Sequence, residues 1–113
     1  MNESRTITWT GKSGKEYTYT IHPLDASFKP LPGNYIFAKE TKPKTWSAVY
    51  VGQTSDLGQR LENHEKEACA KRSGATAIHA HINDKGEKER KDEETDLIAQ
   101  LRPPCNERLD QKK

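Results

Sequence analysis

Residues 6–10 (TITWT) and 15–21 (KEYTYTI) alternate apolar and polar positions, with Gly11-Lys12-Ser13-Gly14 between them. That pattern predicts a β-hairpin. Pro23, Pro30 and Pro32 then break the chain into an irregular connector, because proline fixes φ and removes an amide donor. Residues 34–39 (NYIFAK) and 47–51 (SAVYV) predict the next two strands, joined by a loop over 40–46. A helix is expected from an N-cap at Thr54 or Ser55, with Asp56 in its first turn, to about Arg72, and Gly74 stops it. Residues 75–82 (ATAIHAHI) alternate as a further strand, and Asn83-Asp84-Lys85-Gly86 make a turn. A last helix begins near Glu87 and ends before Pro103-Pro104. The order β-β-β-β-α-β-α predicts an α/β (α+β) domain, with a small, largely antiparallel central sheet flanked by helices.

Two helical segments carry charge where apolar side chains are expected. In the last helix Leu97, Ile98 and Leu101 form the apolar stripe, and at 100° per residue Glu94 falls on it. A carboxylate facing a core is costly unless it is paired or ligates a cation. An arginine partner, or a helix rotated toward water, accounts for it without any active site. In the first helix Leu57, Leu61 and Ala68 make the stripe, and Arg60 and His64, one turn apart, flank its edge. A rim pair covering apolar surface is the plain alternative to catalysis there. His79 and His81 share a strand face but have no third ligand spaced with them, which reads as polar surface rather than a metal site.

Composition narrows the class. At 113 residues the chain has room for one core, and with 31% hydrophobic against 32% charged residues that core is thin. No apolar run is long enough to span a bilayer, and MNESRTITW is no signal segment. Cys69 and Cys105 show no metal-ligand spacing and read as free thiols of a reducing, intracellular (cytoplasmic) compartment. The net charge of +2 does not by itself announce a nucleic-acid binder. Lys39, Lys42 and Lys44 nevertheless crowd one loop, and Lys71 with Arg72 forms a second basic group.

The order of these features decides between the alternatives. Gly33-Asn34-Tyr35 opens one strand and Tyr50-Val51-Gly52 closes the next; Arg60 and His64 follow on a helix. Glu94 then begins an E-x3-I-x4-P-x2-N string that ends at Asn106. Over residues 33–106 the chain resembles the GIY-YIG nuclease superfamily, with GNY as first motif and YVG as second. It departs from that pattern at Asn34, an aliphatic position in the family, which predicts a strand that buries less there. It departs also in the long Tyr35–Tyr50 separation, and in Gln53, where some members carry a lysine.

The resemblance implies a metal-dependent endonuclease acting on nucleic acid, DNA favoured. Glu94 would hold Mg²⁺ (or Mn²⁺), and Arg60 would fork onto phosphate oxygens. Tyr35 or Tyr50, with His64 close by, would orient or deprotonate the attacking water, Tyr35 being the preferred partner of His64. Gly33, Gly52 and Asn106 would support the site. Lys39, Lys42, Lys44, Lys71 and Arg72 would track the phosphate backbone. The same resemblance divides the chain into an N-terminal hairpin and connector (1–30), a nuclease-like domain (31–108) and a polar tail (109–113). A non-catalytic nucleic-acid-binding module of the same fold is the alternative, and a protein-interaction domain is the bland one.

Overall fold

The computed structural model describes residues 5–62 and 64–106. Its core is a five-stranded sheet formed by β1 (Thr6–Thr10), β2 (Glu16–Pro23), β3 (Gly33–Lys42), β4 (Thr45–Thr54) and β5 (Ala77–Ile82). The spatial order is β1-β2-β5-β3-β4, and every neighbouring pair is antiparallel. The expected α/β (α+β) class is what the structure has. The strands that carry Tyr35 and Tyr50 lie side by side, and the N-terminal hairpin extends the sheet by pairing β2 with β5.

Period-two alternation sends side chains to two cores. Tyr35 and Phe37 face one side, where they pack with Val49, Ile78, Leu57 of α1 (Leu57–Glu62) and Ala70 of α2 (Glu67–Arg72). Ile36 and Ala38 face the other, with Trp9, Tyr19, Val51 and Leu97 of α3 (Glu87–Leu101). Helices therefore cover both faces. A β-bulge breaks the β3–β4 register: Phe37 opposes Tyr50 and Ala38 opposes Ala48, which leaves Val49 without a partner. The extra residue turns two consecutive side chains to one side, so Val49 and Tyr50 both join the Tyr35 core.

Several expectations need correction. The single helix over 55–72 is two short ones, and Ala68 is exposed while Ala70 is buried. Asp56, not Thr54 or Ser55, caps α1: its Oδ1 accepts the Gln59 amide at 2.9 Å. The loop over 40–46 shrinks to a tight hairpin at Pro43-Lys44, because β3 runs to Lys42 and β4 starts at Thr45. Lys44 takes a positive φ of 67° there, and its amide donates to the Glu40 carboxylate at 3.1 Å. Asn34 does not loosen its strand; it is fully buried and donates to the Arg90 carbonyl at 2.9 Å.

The cysteines are not free. Cys69 of α2 and Cys105 of the 3-10 turn Pro104–Asn106 are joined as a disulfide across 36 residues of sequence. The step from free thiols to a reducing compartment therefore lapses. No helix among the described residues is long and apolar enough to cross a membrane.

Candidate active site

The two motif glycines are explained by space. Tyr35 pairs with Gly52 across the sheet, and a Cβ on Gly52 would sit 2.5 Å from the Tyr35 hydroxyl. Only glycine lets that ring lie over the neighbouring strand. A Cβ on Gly33 would meet the His81 carbonyl at 2.5 Å and Leu57 at 2.9 Å, so Gly33 lets α1 close onto the sheet.

Tyr35, Tyr50 and His64 form one aromatic cluster on the α1/α2 side. Ring centroids of His64 lie 5.4 Å from Tyr35 and 5.2 Å from Tyr50. His64 is buried in the turn between α1 and α2, and the helix breaks to put it there. Its Nδ1 accepts the Lys66 amide at 2.9 Å. That bond leaves the proton on Nε2, which stands 2.7 Å from the Tyr35 hydroxyl and donates to it. Burial, then the Arg60 charge, lowers the His64 pKa to about 4. His64 is therefore neutral at neutral pH and gives Tyr35 a hydrogen bond instead of taking its proton.

Arg60, on α1, is 32% exposed at its side chain and forks onto Glu65 with Nη1–Oε1 at 2.6 Å and Nη2–Oε2 at 2.8 Å. Its charge also reaches the tyrosines. Burial raises both phenol pKa values above their ordinary range, and Arg60 pulls each back. Glu94 pushes the same two phenols upward, and Arg60 lowers Glu94 in turn. The five groups thus share one electrostatic neighbourhood, although Tyr35 and α3 belong to different cores. Asn106 braces this edge of the sheet. Its Oδ1 accepts the Val51 amide at 2.7 Å and its Nδ2 donates to the Val51 carbonyl at 2.9 Å, between Tyr50 and Gly52.

Glu94 is half-buried, and the apolar stripe is rotated from the expected phase: Arg90, Glu93 and Leu97 are the buried residues of α3. Glu93, at 3% exposure, is the carboxylate that faces the core. It accepts from the Tyr19 hydroxyl at 2.6 Å, from His81 Nδ1 at 2.9 Å and from Asn83 Nδ2 at 3.2 Å. Arg90 donates to Gln53 Oε1 at 3.1 Å and to the Asn83 carbonyl at 3.4 Å. His79 is likewise no surface residue; it is fully buried, accepts from Trp9 Nε1 at 3.0 Å and meets the Trp46 ring edge-on at 4.7 Å. Sequence reasoning missed Glu93, Arg90, Tyr19 and Glu65. The spacing of Arg90, Glu93 and Leu97 was the one signal for the first two.

Among the described residues Glu94 makes no hydrogen bond or ion pair, and burial raises its pKa. An unpaired, half-desolvated carboxylate suits a divalent cation that takes one protein oxygen, waters and phosphate oxygens. No cluster of three or more His, Cys, Asp or Glu among the described residues could form a protein-only cage. The basic residues lie toward the other end of the β3–β4 hairpin. Lys39 and Lys42 sit on β3 and Lys44 in the turn. Lys71 pairs with Glu67 at 3.1 Å, and Arg72 is exposed at the end of α2. A Cβ on Gly74 would lie 3.0 Å from Lys39 Cδ, which makes the two basic groups neighbours. A concavity of about 600 Å³ between the connector and α1 is rimmed by Asp25, Asp56, Glu62 and Glu67, an acidic edge that suits no phosphate.

Comparison with protein-family models, curated proteins and solved structures finds no match for this chain.

Proposed function

We propose that the chain is a GIY-YIG-type endonuclease that hydrolyses phosphodiester bonds in DNA with Mg²⁺ or Mn²⁺. One observation carries this reading. Tyr35, Tyr50, Arg60, His64 and Glu94 follow one another in the order of that superfamily, and Tyr35, Tyr50 and His64 pack as one cluster, with the Tyr35 hydroxyl 2.7 Å from His64 Nε2. An ordinary core has no use for a buried phenol, a half-buried phenol, an arginine and an unpaired carboxylate together.

Hydrolysis needs a positioned water, charge stabilisation on the phosphate and neutralisation of the leaving oxygen. Arg60 offers two parallel donors to non-bridging oxygens, where negative charge builds. Tyr35, whose hydroxyl accepts from His64, keeps its remaining lone pair and its own proton for a water. In the free protein burial holds Tyr35 protonated, so it orients that water first. Only positive charge, such as a cation held at Glu94 would supply, lowers the phenol toward acting as a base; the phosphate's own charge works the other way. Glu94 would hold the metal ion, which supplies Lewis-acid charge to the scissile phosphate when bound. Asn106 keeps the Tyr50–Gly52 segment flat against β3 and touches no reacting atom. Lys39, Lys42 and Lys44, with Lys71 and Arg72 beside them, would follow the backbone away from the cut.

The test is cleavage of matched single-stranded, duplex and branched DNA, with RNA alongside, in Mg²⁺ and in Mn²⁺. Metal-dependent cutting of at least one substrate, lost in Arg60→Ala, is the expected outcome. Salt-sensitive binding without cutting on every substrate would replace this reading with the non-catalytic nucleic-acid-binding module.

A further inference from the structure

The Arg60 guanidinium, assigned above to phosphate, is already occupied. Both of its terminal nitrogens face both oxygens of Glu65, at 2.6 and 2.8 Å. Two parallel donors on two anionic oxygens is the arrangement by which arginine also takes a phosphate. We propose that Glu65 fills, in the free protein, the seat that two non-bridging phosphodiester oxygens take on Arg60, and so sets the threshold for substrate entry. The inference rests on the endonuclease reading for the identity of the displacing group.

Three features make Glu65 an exchangeable occupant and not a fixed strut. Its side chain is 62% exposed, so swinging it out uncovers no core. It lies in the turn between α1 and α2, outside both helices. Its contact with Arg60 spans a break in the chain's regular structure, whereas Lys88–Asp92 and Lys91–Glu87 are pairs along one helix. The energetics agree: an exposed ion pair is weak in water and screened by salt. A phosphodiester therefore displaces it at modest cost, and at less cost with a cation on Glu94. With Glu65 in place, the carboxylates of Glu65 and Glu94 outnumber the charge of Arg60. Glu65 and Glu94 thereby weaken phosphate binding at Arg60, and removing the Glu65 charge relieves part of that repulsion. Glu65 is a positioning residue in this account: it holds the Arg60 fork open in the geometry the phosphate needs, then leaves.

The experiment uses Glu65→Gln, which keeps size and loses charge. Two probes are titrated in chelator-containing buffer. Dimethyl phosphate is followed at the Arg60 Nε–H resonance, and a fluorescent duplex oligonucleotide is followed by anisotropy. Glu65→Gln should bind both about three- to fivefold tighter than the unaltered chain, the fold-change expected for one exposed ion pair. Glu62→Gln removes a charge from the preceding turn without touching Arg60 and should change either affinity far less. In an Arg60→Ala background the gain from Glu65→Gln should vanish. A gain no larger than that of Glu62→Gln, or one that persists without Arg60, overturns the proposal. If no variant binds the oligonucleotide while Glu65→Gln still gains dimethyl phosphate at Arg60, the endonuclease reading falls and the Glu65 seat stands.

Discussion

Two polar regions are built into this small domain, and they differ in whether their bonds are complete. The first joins Glu93, Arg90, Asn34, Asn83, His81 and Tyr19, and it ties α3 to β2, β3 and β5. Every Glu93 oxygen there has a donor, three in all. The second gathers Tyr35, Tyr50, His64, Arg60 and Glu94. There Glu94 has no partner among the described residues, and the Tyr35 hydroxyl is held by His64 at 2.7 Å with the Arg60 guanidinium beside it. A saturated buried network fixes register and orientation. The second region is left incomplete where Arg60 and Glu94 reach solvent, which is where the proposed substrate and metal would complete it. The contrast matters because the two carboxylates involved are adjacent in sequence.

Removing the inner carboxylate should have the largest effect on stability. Glu93→Ala strands the Tyr19 hydroxyl and the Asn83 amide in the interior and takes the partner from half-buried His81. It should destabilise the fold by about 3–5 kcal/mol, read as a lower denaturant midpoint at unchanged slope. Glu94→Ala should leave the midpoint unchanged or slightly higher, because it deletes a half-desolvated charge. Equal losses from the two would erase the distinction between the regions.

Acid should act next. Burial chiefly lowers the pKa values of His64 and His79, each to about 4, well under the ordinary 6.5. A folded pKa below the unfolded one means the unfolded chain binds more protons between those values. Stability is therefore full above about pH 6.5 and falls as pH drops toward 4, by a few kcal/mol. His79→Gln keeps an acceptor for Trp9 and cannot titrate, so it should flatten part of that fall in a pH series of melting curves. A profile unaltered by that change would remove His79 from the account.

The disulfide ranks third. It joins α2 to the 3-10 turn that holds Asn106 on β4, so it supports the open region from outside. Reduction, or Cys105→Ser, should lower stability by about 2–4 kcal/mol, as expected for closing a loop of this length. If the reduced and oxidised chains melt together, the link has no such role.

The smallest effect concerns the basic hairpin end. Replacing Lys39, Lys42 and Lys44 by alanine should weaken DNA binding evenly across sequences and reduce the slope of affinity against salt by up to about three phosphate contacts. The single-turnover rate at saturating DNA should stay nearly unchanged. An unaltered slope would move the backbone path to Lys71 and Arg72 alone.

Legibility in the sequence followed local physics. The β1–β2 hairpin and the ends of α3 were readable because alternation and Pro103-Pro104 are local signals. Asp56 as cap was missed because Thr54 and Ser55 are equally good caps in isolation. The break at His64 was hidden, since what stops the helix is His64 docking between Tyr35 and Tyr50, a contact made only in three dimensions. The phase of α3 was misjudged by about one position because its first half (EKERKDEE) contains no apolar residue to fix it. That error moved the core carboxylate from Glu93 to Glu94. Glu94 stays the proposed metal ligand on a different ground: it is the carboxylate left without a partner among the described residues, not the one forced into the core. Asn34 shows the reverse case, a residue read as a weakness that belongs to the saturated network.

The measurement closest to the central claim is the single-turnover cleavage rate of Glu94→Ala in Mg²⁺, set against the unaltered chain at equal, saturating DNA. The account expects cutting to fall by at least about a hundredfold with the melting temperature preserved. Cleavage by the folded variant at the unaltered rate would contradict it.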